Sequence, residues 1–419
     1  MPDVVVVGAG VAGLTAARDL RRAGADVVVV EARERIGGRV HTDRDLAGLP
    51  VELGAEFVHT PRADTWPEIR AAGLATRRVR MSRGALLHLE GVTEKAFAQL
   101  RHPDVWRVAT MWRDVRQQPG TDASVADFLG GRRLSPRARA GAELMLGGHP
   151  AGPLDDLSVH GLVDDRVVQV DRAVNWRLSD GYDRLPGWLG RDVDVRLATP
   201  VDRIAWSADG VRVSGAWGAV EARIGVCTLP VGVLKSGTVT FDPPLPAAKV
   251  AALDRLQMGA VVKVLLRFSA PFWSPRMTVL AADGPIGTWW PPLYGVDGAP
   301  AVLTAYATGP RASALASAGE SEALEICLRD LERVFPGCPA RRDLLAHRRV
   351  SWPDDPWARG GYSYVRVGGR GARAALGASD TGALLWAGDG TATPTIAAVV
   401  HAAYASGRRA AAEAGALLR

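Results

Sequence analysis

Gly8, Gly10 and Gly13 form a GxGxxG set whose spacing suits a bound pyrophosphate. The first glycine permits a tight turn, the second lets a pyrophosphate approach the backbone, and the third lets a helix pack on the preceding strand. The amides at that helix N-terminus then face the phosphates. Glu31 stands 18 positions beyond the last glycine. There a carboxylate can accept hydrogen bonds from a ribose and would repel a 2′-phosphate. Gly37, Gly38 and Arg39 follow. Their backbone amides and guanidinium suit the pyrophosphate of a longer dinucleotide. No GxxxxGK[ST] loop and no HExxH pair is present, which argues against the common nucleotide hydrolases and zincins.

The elements that must position these residues can be read from hydrophobic pattern. Val4 to Val7 is a short, uniformly apolar run, as in a strand buried on both faces. Leu14 to Arg22 has helical spacing and stops at Gly24, and Val27 to Val30 is a second buried strand ending at Glu31. The chain's end returns to this style. Leu384 to Ala387 reads as a strand, Gly388-Asp389-Gly390 as a turn, and a helix of small residues runs from about Ile396 to Leu418. Residues 181–245 carry short strands such as Val211-Arg212-Val213, whereas 62–180 show arginines, Trp66, Trp106, Trp112 and helical spacing without parallel-strand runs. Val261 to Phe268 alternates, with Val262, Val264, Leu266 and Phe268 on one face and Lys263 and Arg267 on the other. That pattern predicts a half-buried antiparallel strand whose lysine faces solvent. The expected fold class is α/β: a Rossmann-like domain assembled from residues 1–65, 179–250 and 378–419, with a second, α+β domain from 66–178 and 251–377.

Composition narrows the class. The chain has 419 residues, 47% apolar and 23% charged, as in an ordinary two-domain soluble enzyme. All but four of its 51 basic residues are arginines, spread among acidic residues. The net charge of +6 is therefore read as a bias for arginine and not as a nucleic-acid groove. Cys227, Cys327 and Cys338 are too few and too scattered for a disulfide framework or a cysteine zinc site, so a reducing, cytoplasmic setting is expected. No signal peptide and no membrane-spanning run is expected either.

The stretch from Glu31 through Arg39 to Thr42 resembles the dinucleotide-binding signature of FAD flavoproteins of the glutathione-reductase type, specifically the flavin amine oxidases. Three further blocks are similar to the same family: residues 227–273, residues 352–365 (WPDDPWARGGYSYV) and residues 386–407 (WAGDGTATPTIAAVVHAAYASG). The first of these is closest to the polyamine oxidases and lysine-specific histone demethylases. With residues 3–60 and DGYDRLPGWL near 180–189, the resemblance spans about half the chain. It implies an FAD-binding domain and a substrate domain whose pocket is shaped by 62–175 and 276–345.

Several roles follow from the resemblance alone. Lys263 matches the lysine that holds a water near flavin N5, and Tyr362 matches a tyrosine lining the substrate side of the flavin. The cofactor positions are Gly8, Gly10, Ala12, Gly13, Glu31, Ala32, Arg33, Gly38, Arg39, Gly54, Ala55, Glu56, Phe57, Val201, Trp352, Gly388, Asp389, Val399 and Val400. Asp389 stands where the family usually has Glu. Gly361 stands where the mitochondrial monoamine oxidases have the cysteine that bonds FAD, which implies a non-covalent flavin. Trp357 either supports the pocket or simply packs.

The substrate side departs from the family pattern. Ile396 occupies the place of a second aromatic wall, leaving Trp289 or Trp290 to complete it. Glu56 either pairs with a second cationic group of the substrate or caps backbone, and His59 is either a pocket-rim group or an ordinary loop histidine. The resemblance thus implies oxidation of a small-molecule amine by hydride transfer to flavin N5, imine hydrolysis and reoxidation by O2 to H2O2. From the dispersed charge and the lack of a long apolar run, no nucleic-acid or membrane partner is expected. Alternatives are an L-amino-acid oxidase, a metabolite-tailoring flavin dehydrogenase, or a flavin-binding interaction protein.

Overall fold

The computed structural model describes residues 1–101, 103–117, 120–148, 151–166, 174–392 and 397–419. The two valine runs become adjacent strands, Val4–Val7 and Val27–Val30, in parallel register with Val4 opposite Val27. They sit inside a five-stranded sheet in the order Asp194–Arg196, Val27–Val30, Val4–Val7, Ile224–Cys227, Leu384–Trp386, parallel at every pairing. An all-parallel sheet is covered on both faces, which is why all eight valines are buried. The helix Val11–Arg22 lies over one face beside the terminal helix Val400–Leu418. The two approach so closely that a methyl group on Gly407 would fall 2.2 Å from the Ala12 carbonyl oxygen.

A four-stranded sheet (Arg203–Trp206, Val211–Gly215, Gly218–Ala222, Thr240–Asp242) packs on the other face through Ile204, Val211 and Val213.

The second large sheet has seven strands, in the order Leu344–Ser351, Val261–Phe268, Ala301–Thr308, Thr288–Trp290, Val279–Ala282, Ala85–Leu89, Val92–Lys95. Two readings need correction here. Residues 62–180 are not purely helical. They contribute the strands Thr76–Arg80, Ala85–Leu89, Val92–Lys95 and Val174–Leu178, and Ala85–Leu89 pairs in parallel with Val279–Ala282. Each is only four or five residues long, and Thr76–Arg80 is mostly arginine, so they do not stand out as apolar runs.

The strand Val261–Phe268 is antiparallel to both neighbours, as its pattern predicts, but it is not half exposed. Val262, Val264, Leu266 and Phe268 enter one core, while Leu265, on the other face, packs against Leu46, Val51 and Leu53. That cover buries Lys263 at 3% exposure. No helix among the described residues is long and apolar enough to cross a membrane.

Candidate active site

One continuous cavity of about 370 Å3 connects the two sheets. At one end it is lined by Glu31, Ala32, Arg33 and Val201. It then passes Gly10, Gly38 and Arg39, and ends among Lys263, Trp290, Tyr306, Trp352 and Tyr362. Gly8, Ala12, Gly54, Ala55, Glu56, Phe57, Trp357, Gly388, Asp389, Val399 and Val400 also face it, and so does His59. Gly13 does not. Its role is packing: a methyl group there would lie 2.0 Å from the Gly8 carbonyl oxygen. At Gly10, by contrast, an added methyl group meets no protein atom within 4 Å. A helix start open to the cavity beside a glycine without a neighbour is what a pyrophosphate requires. Glu31 accepts from the Ala9 amide at 2.7 Å and the Arg33 amide at 2.9 Å, which fixes its carboxylate at that end.

Arg39 reaches across to the last sheet segment. Its guanidinium forms a two-pronged ion pair with Asp389 and donates to the Gly361 carbonyl at 2.7 Å. Burial opposes ionisation of Asp389, but Arg39 and then Arg373 outweigh it and hold the carboxyl below its ordinary range. Arg373 is itself clamped by Asp165 at 2.7 and 2.8 Å and by Ser363. This buried network joins residues far apart in sequence: Ser363 falls inside the family-like block 352–365, where the resemblance assigns it no role, and Asp165 and Arg373 lie outside every such block.

Lys263 is held at the other end by three acceptors: the carbonyls of Glu52 (3.0 Å) and Gly54 (2.8 Å) and the carboxylate of Glu56 (3.3 Å). An ammonium has three N–H groups, so all three have partners. Burial pushes the Lys263 pKa down, against the pull of Glu56 and Glu52. Glu56 also accepts from Arg177 Nε at 2.8 Å and from the Trp290 indole at 3.0 Å. Burial disfavours its charge, yet Arg177 and Lys263 together keep it ionised below the ordinary range. The expectation of a Glu56 carboxylate free for a substrate cation is therefore corrected: its charge is already balanced from inside. Glu52 is different. Burial pushes its pKa up to about 8, and its side chain accepts from Thr42 and the Tyr182 amide.

The aromatic end is built by Trp290, Tyr306 and Tyr362. The Trp290 and Tyr306 rings lie 5.1 Å apart, and Tyr306 donates to the Tyr362 hydroxyl at 3.0 Å. Tyr306 stands directly opposite Lys263 on the neighbouring strand. Its sequence, inside AVLTAYAT, reads only as a strand aromatic, and cross-strand register was the one signal that could have found it. Trp289 is a correction. Consecutive strand residues point to opposite faces, so Trp289 turns into the far core and donates to Asp330 at 2.8 Å. His59 lies on the cavity rim, its Nδ1 2.8 Å from Asn175 Oδ1. Ile396 lies outside the described residues. Trp352 donates to the Leu53 carbonyl at 3.2 Å and packs against Gly54.

The cavity thus joins a glycine turn suited to a pyrophosphate, on an α/β sheet, to an aromatic-walled end. The family model described as "flavin containing amine oxidoreductase" matches residues 11–414, and the chain belongs to that family. Polyamine oxidase 4 of Oryza sativa subsp. japonica is 30% identical over 448 residues, spanning 98% of this chain and 88% of that protein. Lysine-specific histone demethylase 1 homolog 2 of Arabidopsis thaliana is 29% identical over 97% of this chain but 57% of its own length. Among solved structures, wild-type putrescine oxidase bound to putrescine superposes with a TM-score of 0.84 at 23% identity, covering 98% of both chains. Cyclohexylamine oxidase from Brevibacterium oxydans IH-35A gives 0.86 at 21%, covering 100% of this chain and 99% of its own. These two establish the likeness of fold.

Proposed function

We propose that the chain is an FAD-dependent amine oxidase that holds its cofactor without a covalent bond and uses dioxygen as acceptor, in a reducing cytoplasmic setting. The observation that carries this reading is the single cavity that runs from Glu31, past Gly10 and Arg39, to Lys263 and Tyr362. Its glycine turn and carboxylate suit the adenosine half of a dinucleotide, and its far end suits a flat ring system. Non-covalent binding is supported at Gly361, where a methyl group would lie 2.3 Å from a Val261 methyl. No cysteine fits there. When bound, the flavin supplies the redox step, accepting hydride from the carbon beside an amine nitrogen and giving the electrons on to dioxygen.

The chain's own residues set the conditions for that step. A donor amine must be neutral to lose hydride, and the apolar, aromatic end disfavours its charged form. Tyr362, Tyr306 and Trp290 give that end its flat walls and orient the donor. Lys263 holds the 52–56 loop against the sheet through its three contacts. The one to Glu56 is the longest and the first to yield to a water.

The donor we propose is an amine with a second polar end, as in polyamines. The likeness to Oryza polyamine oxidase 4 supports this class. An amino-acid donor is less well supported, because its carboxylate would need a cation. Arg33 is on Asp355, Arg39 on Asp389, and Lys263 on Glu56. The test is a peroxide-release screen of polyamines, monoamines and amino acids on the purified yellow protein. A polyamine should give the highest kcat/KM, with FAD released by acid. A colourless protein, or an amino acid as best donor, would overturn the proposal.

A further inference from the structure

Glu56 also forms part of the wall of a second cavity, of about 160 Å3. Its other polar walls are Glu52, Arg77 and Arg177, and it reaches the exposed Ser179. Arg77 and Arg177 are direct cross-strand partners in the pairing of Thr76–Arg80 with Val174–Leu178. Like charges placed opposite one another in an antiparallel pair repel, and a low dielectric strengthens the repulsion.

Arg177 is 5% exposed. Its Nε is engaged by Glu56, but its Nη1 and Nη2, both buried, find no acceptor among the described residues. The same holds for the buried Nε of Arg77. Buried donors left in that state are costly and rare. Glu56 cannot balance the cluster alone, because Lys263 shares it. Glu52 is turned to the neutral donors Thr42 and Tyr182. Three cations thus face one shared carboxylate.

We propose that this second cavity binds a small monovalent anion, a halide or a compact planar oxyanion, on the Nη groups of Arg177 with Arg77 as the second cation. The size of the space suits such an ion, and the planar guanidinium fork suits its recognition. The opening at Ser179 gives it entry apart from the substrate end. An anion seated there draws on Arg177 and leaves Glu56 more fully to Lys263, so it adjusts the reaction end from behind.

The purified, cofactor-loaded protein serves for the test. Chloride, nitrate or formate replaces the bulkier gluconate at constant ionic strength while thermal unfolding is followed. A saturable rise in Tm is expected with at least one of the three, with the half-saturating concentration raised roughly tenfold or more in Arg77→Met. Response to chloride assigns a halide, and response to nitrate or formate alone assigns a planar oxyanion. Crystals soaked in bromide or nitrate need no variant and should show the ion within hydrogen-bonding distance of Arg177 Nη1 or Nη2. An equal Tm response in Arg77→Met places the binding elsewhere and overturns the proposal. So does a cavity holding neither ion after both soaks.

Discussion

Lys263 Nζ lies 3.3 Å from Glu56 Oε2 in a pair closed to solvent, and Arg177 donates to the other oxygen of the same carboxylate. Breaking a buried pair from one side leaves the other charges uncompensated, at a cost of about 3–5 kcal/mol. Glu56→Gln should therefore destabilise strongly in urea unfolding, and should lower the Lys263 pKa further. A loss below about 1 kcal/mol would show that the triad is not held as described.

Gly10 and Gly13 should separate cofactor binding from folding. Gly13→Ala sets a methyl group 2.0 Å from a backbone oxygen and should unfold the apoprotein. Gly10→Ala meets no protein atom, so the apoprotein should melt as the parent does while flavin affinity falls by tenfold or more, roughly the worth of one charged hydrogen bond. Equal flavin affinity in Gly10→Ala would remove the pyrophosphate from that turn.

Glu52 makes a signed pH prediction. Its folded pKa, about 8, lies above the ordinary 4.5. Between those values the folded state holds a proton that the unfolded state has lost. The stability it contributes is thus fully present below about 4.5 and falls as pH rises toward 8. Glu52→Gln keeps the acceptor for Tyr182 and cannot ionise. Its stability relative to wild type should therefore rise from pH 5 to 8, by at most about 1.4 kcal/mol per pH unit. A constant difference across that range would mean that Glu52 titrates normally.

The end proposed for the nucleotide is readable in sequence because it is local. Four valines, a glycine turn and an acidic residue follow one another within 31 positions. The reaction end is assembled across strands, and there reading by residue failed in particular ways. Lys263 looks solvent-facing by alternation, because the loop that covers it, residues 46–56, lies about 200 positions earlier. Trp289 and Trp290 are indistinguishable until strand register assigns their faces. Tyr306 enters the site only because it pairs with Lys263. Arg177 sits in the alternating run Val174-Asn175-Trp176-Arg177-Leu178, but alternation gives only a strand and not a partner, and Glu56 lies 121 positions earlier.

The tryptophan pair offers a direct comparison. Trp290→Phe removes the indole donor to Glu56 and part of the cavity wall. It should lower kcat/KM for the amine by roughly ten- to a hundredfold, with modest loss of stability. Trp289→Phe removes the bond to buried Asp330 and should cost about 1–3 kcal/mol of stability while kcat/KM stays within twofold. Steady-state kinetics and melting curves on both variants check the assignment, and the reverse pattern would refute it.

The most direct test is anaerobic stopped-flow mixing of the purified protein with a polyamine, followed by flavin absorbance. Wild type should bleach in a single saturable phase, and Lys263→Met should retain flavin. Its reduction or its later reoxidation by oxygen should slow about ten- to a thousandfold. A flavin that no amine bleaches, or equal rates for Lys263→Met in both half-reactions, would contradict an amine oxidase whose reaction end is organised by Lys263.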